Sequence, residues 1–180
     1  MKKVLKIIGV ILLLVIAFIL IAGLFISKSY HYEKTITINA PKDKVWSLVN
    51  NFHGQDKWSP WKDGDPNIQI SYEGQDGTEG AMYKWKGNKE VGSGEQTLTK
   101  LEPMSRVNSH VHFIEPFDGE AETFITLDDA GNNSTKVTWG FDTKYTYPMN
   151  TMLLFMNMDK MMGDQYTKGL NRLKNLAEAD

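Results

Sequence analysis

The residues best equipped for chemistry are two histidines one position apart, His110 and His112. On a strand that spacing puts both imidazoles on one face. A metal site needs a third ligand, and His31 and His53 stand in no evident relation to the pair. Val107, Val111 and Phe113 occupy the alternate positions and mark the opposite face as the core side, which sends the histidines to solvent. No metal is expected. The chain has no cysteine, which removes disulfides, thiolate zinc sites and cysteine nucleophiles. Gly92-Ser93-Gly94 lacks the helix and Lys-Ser/Thr pair of a phosphate loop, and Asp63–Asn67 lacks the spacing of a calcium loop. No motif calls for a cofactor, and no Gly-x-Ser-x-Gly elbow supports serine hydrolysis. The remaining groups for proton transfer are Tyr72 and Tyr83 at inward strand positions, with Glu95, Glu120 and Glu122 bordering the strands.

The apolar residues are more distinctive. Lys57–Trp61 reads KWSPW and sets Trp58 and Trp61 three apart around Ser-Pro. Two readings stand: an aromatic lid that stacks on an apolar ligand, or a pair of core plugs. Six of nine methionines fall between Met149 and Met162. Methionine is flexible and polarizable, which suits a lining that adapts to varied apolar shapes. Ordinary core packing, or contact with a bilayer or a partner's membrane segment, accounts for the same cluster.

The elements that must position these residues follow from periodicity. Glu33–Asn39 alternates and reads as a strand, with 27–32 a short connector before it. Pro41 then opens a helix whose stripe is Val45, Trp46, Leu48 and Val49. Phe52–Asn67 is irregular. Half-buried antiparallel strands are expected around Ile68–Tyr72, Ala81–Trp85, Gly94–Leu101, Val107–Phe113, Thr123–Leu127 and Thr135–Phe141. A single helix is expected from Met149 to about Ala177, with Tyr166, Leu170, Leu173 and Ala177 as its buried stripe. Strand, helix, six strands and a long helix make one α+β domain.

At the other end, Ile7–Ile26 is twenty residues without a polar side chain. As a helix it spans about 30 Å, the hydrocarbon thickness of a bilayer. The run exceeds a typical signal-peptide core, and Ser27-Lys28-Ser29 is a poor cleavage site. Residues 1–29 are therefore expected to form a stub and transmembrane anchor, and 30–180 the domain. Lys2, Lys3 and Lys6 favour a cytoplasmic N-terminus and an extracytoplasmic domain, although Lys28 and Lys34 lie close to the other end. Without those first three lysines, 17 basic residues face 22 acidic ones. No basic footprint exists for a nucleic-acid partner.

The element order resembles the helix-grip fold of the START-like, or SRPBCC, superfamily, which includes the birch-pollen allergen and polyketide cyclase/dehydrase-like proteins. INAPKDKVWSLVNNF (38–52), KWSPW (57–61) and EGAMYKWKGNKEVGSGEQTL (79–98) are similar to motifs of the bacterial polyketide cyclase-like branch. The resemblance covers 33 to about 177. It implies a curved antiparallel sheet wrapped around a long C-terminal helix, with a cavity between them. Its expected lining is Trp58, Trp61, Tyr72, Tyr83 and Trp85, then Val111, Phe113, Trp139 and Phe141 from later strands, and Met152, Phe155 and Met156 from the helix.

The function expected from this cavity is binding of a lipid or another small hydrophobic ligand beside the membrane. A cyclase/dehydratase-type enzyme using Tyr72, Tyr83 or the border glutamates is the alternative, and a non-catalytic envelope interaction or sensing scaffold is another. The fold alone does not choose among them.

Overall fold

A computed structural model describes residues 2–179. Helix α1 (Lys2–Gly23) is followed by β1 (Ser29–Ile38), α2 (Lys42–Val49), α3 (Phe52–Asp56), β2 (Gln69–Glu73), β3 (Met82–Lys86) and β4 (Ser93–Glu102). Then come β5 (Arg106–Glu115), β6 (Gly119–Gly131), β7 (Ser134–Lys144), a 3-10 turn over Met149–Leu154, and α4 (Met158–Glu178). The seven strands form one antiparallel sheet in the order β1-β7-β6-β5-β4-β3-β2. It curves around α4 in the helix-grip arrangement.

Alternation sets the sheet's two faces. In β5, Val107, Ser109 and Val111 are buried, while His110 and His112 bond to Glu122 and Asp118 on the other side. In β7, Thr135, Val137, Trp139 and Phe141 face inward. The inward residues meet the stripe Tyr166, Leu170, Leu173 and Ala177 of α4, together with Val45 and Val49 of α2. Glycines permit the closest approaches. A Cβ at Gly140 would fall 2.4 Å from the Phe124 ring, and one at Gly94 would meet the Trp85 ring at 2.5 Å.

Three expectations about the elements are corrected: Phe52–Asn67, expected to be irregular, opens with the short helix α3 over Phe52–Asp56, and two boundaries move. First, β1 begins at Ser29, so the expected connector 27–32 is mostly strand: Tyr30 and Tyr32 continue the alternation of Ile36 and Ile38 and pair with Thr143 and Phe141. Only residues 24–28 separate α1 from the sheet. Second, the helix expected from Met149 is interrupted. Residues 149–154 form a 3-10 turn, and α4 starts at Met158, where the Asn157 side chain accepts the Lys160 amide. Asparagine competes for backbone donors in this way and caps a helix rather than continuing it.

Candidate functional site

A cavity of about 60 Å³ lies between the concave face of the sheet, α4 and the segment after α3. Four aromatic side chains shape it. Trp139 of β7 and Tyr166 of α4 stack with centroids 4.0 Å apart. Trp58 meets Trp139 edge-on at 5.1 Å, and Trp61 meets both Trp139 and Tyr166 edge-on at 6.1 Å. Such tilted contacts suit the quadrupoles of the rings.

Local sequence fixes each ring. Asn51 caps α3 through the Gly54 amide, and the turn that follows carries Trp58 inward, where its Nε1 donates to the Leu48 carbonyl at 2.9 Å. Trp58 is 1 % exposed, whereas Trp61 is 44 % exposed. The two tryptophans thus divide the roles that KWSPW left open: Trp58 is a core plug and Trp61 a half-exposed cover. Gly169 brings α4 close, since a Cβ there would come within 2.8 Å of the Trp139 ring and 3.1 Å of Pro60. The covering segment is pinned to α4 by Asp63, which accepts from Arg172 at 3.0 Å and pairs with Lys168. The Arg172 guanidinium, aided by Lys168, holds the Asp63 carboxyl below the usual carboxylate range against the opposing effect of burial.

Behind Trp61 the wall mixes Val107 and Ile125 with the neutral polar groups of Gln55, Ser59, Gln96, Ser109 and Thr123. None of the lining residues carries a carboxylate, imidazole or amine. Burial drives the Tyr166 phenol far above its ordinary value, so it stays a neutral hydroxyl at any physiological pH. The lining can enclose apolar surface and offer a few hydrogen bonds. It supplies no base for proton abstraction.

The cavity thus brings together three of the residues expected from the sequence, Trp58, Trp61 and Trp139. Phe141 and Val111 are buried nearby in the core. Tyr72, Tyr83, Trp85 and Phe113 form a separate aromatic row along β2, β3 and β5, with successive centroids 5.6, 6.1 and 6.1 Å apart. Phe52 tilts onto Tyr83, and His53 stacks on Tyr72. Burial raises the phenols of Tyr72 and Tyr83 as well, with Asp56 adding to both. Met152, Phe155 and Met156 lie outside the cavity lining, because the helix that was to carry them inward stops. Among the described residues no group of three or more His, Asp or Glu side chains is placed to hold a metal ion.

Residues 29–178 match the family model described as polyketide cyclase / dehydrase and lipid transport. The chain belongs to that family. No curated protein matches it. Solved structures of the same fold include Ara h 8.0201, with 14% identity, a TM-score of 0.56, and coverage of 83% of this chain and 95% of that one. The Zhui aromatase/cyclase from a Streptomyces species is 18% identical with a TM-score of 0.58, covering 83% of this chain and 94% of its own. A Thermobifida fusca protein is 19% identical with a TM-score of 0.59, covering 80% and 90%. At these identities the likeness is one of fold. Within the polyketide cyclase/dehydrase and lipid transport family, this member combines the helix-grip domain with one N-terminal helix long and apolar enough to cross a membrane.

Proposed function

We propose that the domain binds a lipid or another small hydrophobic molecule in the cavity behind Trp61, and that α1 anchors it in a bilayer with the domain outside the cytoplasm. The observation that carries this is the lining: aromatic walls and neutral hydrogen-bonding groups beneath a half-exposed tryptophan, in a family whose description includes lipid transport. At about 60 Å³ the closed cavity has room for a few water molecules, whereas ligand sites commonly reach 300–1,000 Å³. Binding therefore requires Trp61 and the Ser59–Asp63 segment to move outward and let the ligand take their place. The cyclase/dehydratase alternative finds less support, since the lining holds no carboxylate, imidazole or amine and its one phenol stays neutral.

Native mass spectrometry of the full chain released from nanodiscs of host membrane lipid tests the reading. The expected result is a retained hydrophobic molecule in the wild type that is lost in Ser109→Leu, whose side chain fills the cavity. Equal adducts in both proteins place the lipid on α1 alone and overturn the reading.

A further inference from the structure

The stretch from Tyr145 to Met158 contains no charged residue. Its apolar side chains are conspicuously bare: Leu154 is 49 % exposed, Phe155 71 % and Met156 39 %. A soluble surface does not ordinarily leave such a cluster uncovered.

The same stretch grips the end of α1. The last turn of a helix leaves carbonyls without partners, and here the domain supplies them. Asn150, fully buried, donates its Nδ2 to the Gly23 carbonyl at 2.7 Å and to the Ile26 carbonyl at 3.2 Å. The Tyr147 hydroxyl donates to the Leu20 carbonyl at 3.2 Å. Gly23 is required at that contact, because a Cβ there would come within 2.5 Å of the Thr151 methyl. The helix end is therefore a docked element and not a loose tether.

We infer that Leu154, Phe155 and Met156 insert into the bilayer beside α1 and fix the domain's orientation on the membrane. The inference rests on the reading that α1 spans the bilayer. Depth follows from continuity. The apolar run ends at Ile26, and the contacts fall at Ile26 itself and at Gly23 and Leu20, three and six residues earlier. Helix α1 ends at Gly23, so at about 1.5 Å per residue the Tyr147 contact at Leu20 reaches about 4–5 Å into the apolar helix, close to the depth at which interfacial segments bury their apolar faces. Tyr145, whose amide donates to the Lys28 carbonyl just beyond the apolar run, suits the headgroup level.

A second group agrees. Strand register puts the β5–β6 hairpin at the same end of the sheet as the start of β1, through Ala121↔Thr143 and Thr143↔Tyr30. That hairpin exposes Ile114 at 49 % and Phe117 at 63 %. Glu115 and Asp118 flank Phe117, so its contact is the shallower one. The β6–β7 turn at Asn132 lies at the far end of β7, up to about 35 Å away at 3.4 Å per residue.

The cysteine-free chain gives a clean background for the test. Full-length single-cysteine variants Leu13→Cys, Phe155→Cys, Met156→Cys and Asn132→Cys are labelled with an environment-sensitive fluorophore. They are placed in nanodiscs of phosphatidylethanolamine and phosphatidylglycerol, with or without brominated acyl chains. The expected result is at least twofold quenching by brominated lipid at positions 13, 155 and 156, and none at 132. Quenching at 13 with aqueous iodide access at 155 and 156 equal to that at 132 overturns the bilayer contact and leaves the anchor standing. No quenching at 13 overturns the anchor and the contact together. Protection of 155 and 156 from both quenchers, with energy transfer between copies or to another protein, assigns the patch to a protein partner and overturns the proposal.

Discussion

Trp61→Ala separates a cover from a plug. Trp61 is 44 % exposed, so slightly over half of its surface is buried. A tryptophan buries about 150–250 Å² when fully enclosed, so the share at stake is roughly 85–140 Å². At about 25 cal/mol per Å² this is worth at most roughly 2–3.5 kcal/mol, and less against a compact unfolded chain. A loss of about 2 kcal/mol is expected in guanidinium unfolding of the full chain. Trp58→Ala should cost more, about 4 kcal/mol or above, because that ring is wholly buried and its removal also strands the Leu48 carbonyl. A ligand that must push Trp61 aside pays the same 2 kcal/mol, which is about 30-fold in affinity. Trp61→Ala removes that cost and should tighten binding of a soluble naphthalene probe about 10- to 30-fold, titrated in nanodiscs with empty discs subtracted. Equal destabilisation by the two substitutions with no gain in affinity refutes the assignment of a cover.

Gly169→Ala raises helix propensity by up to about 1 kcal/mol yet forces a methyl against the Trp139 ring and Pro60, an overpacking that costs about 1–3 kcal/mol. A net loss of stability in chemical denaturation is expected, and a gain would contradict the close helix approach. Arg172→Gln loosens the covering segment, leaving Lys168 as the remaining partner of Asp63 on α4. Stability should change by less than about 1 kcal/mol for a half-exposed pair, while the stopped-flow rate of probe entry rises and the wild-type rate rises with salt toward it. Asp76 accepts from the amides of Phe52 and His53 and from the His53 ring. Burial opposes its ionisation, but these bonds hold its carboxyl below the usual carboxylate range. A depressed folded value gives stability that is complete above the unfolded pKa and is lost as pH falls through the folded one. Asp76→Asn should be about 1–3 kcal/mol less stable at neutral pH and show a shallower loss below pH 4 in acid denaturation.

Much of this architecture can be read from local pattern. The inward rows of β5 and β7 follow from strict alternation, and the buried stripe of α4 from helical spacing. The cavity was harder to read because its polar wall breaks the apolar rule. Ser109 and Thr123 sit at inward positions, and Ser109 lies visibly between Val107 and Val111, but a hydroxyl there carries no periodic signal of its own. Gln96 is further obscured by the register shift between Leu98 and Lys100. By propensity alone Gly169 weakens a helix, whereas its missing side chain is what admits Trp139. The methionine-rich stretch misled through composition. Its residues are helix-compatible one by one, and only the Asn157 cap marks where α4 begins.

In the proposed function a hydrophobic molecule displaces Trp61 and enters against Trp139. Indole ¹⁵N–¹H spectra of the full chain in nanodiscs, recorded while a host lipid extract is titrated in, test it directly. Saturable, concerted shifts of the Trp61 and Trp139 signals are expected, with Trp46 unmoved. Indole signals that stay in place through the whole titration contradict it.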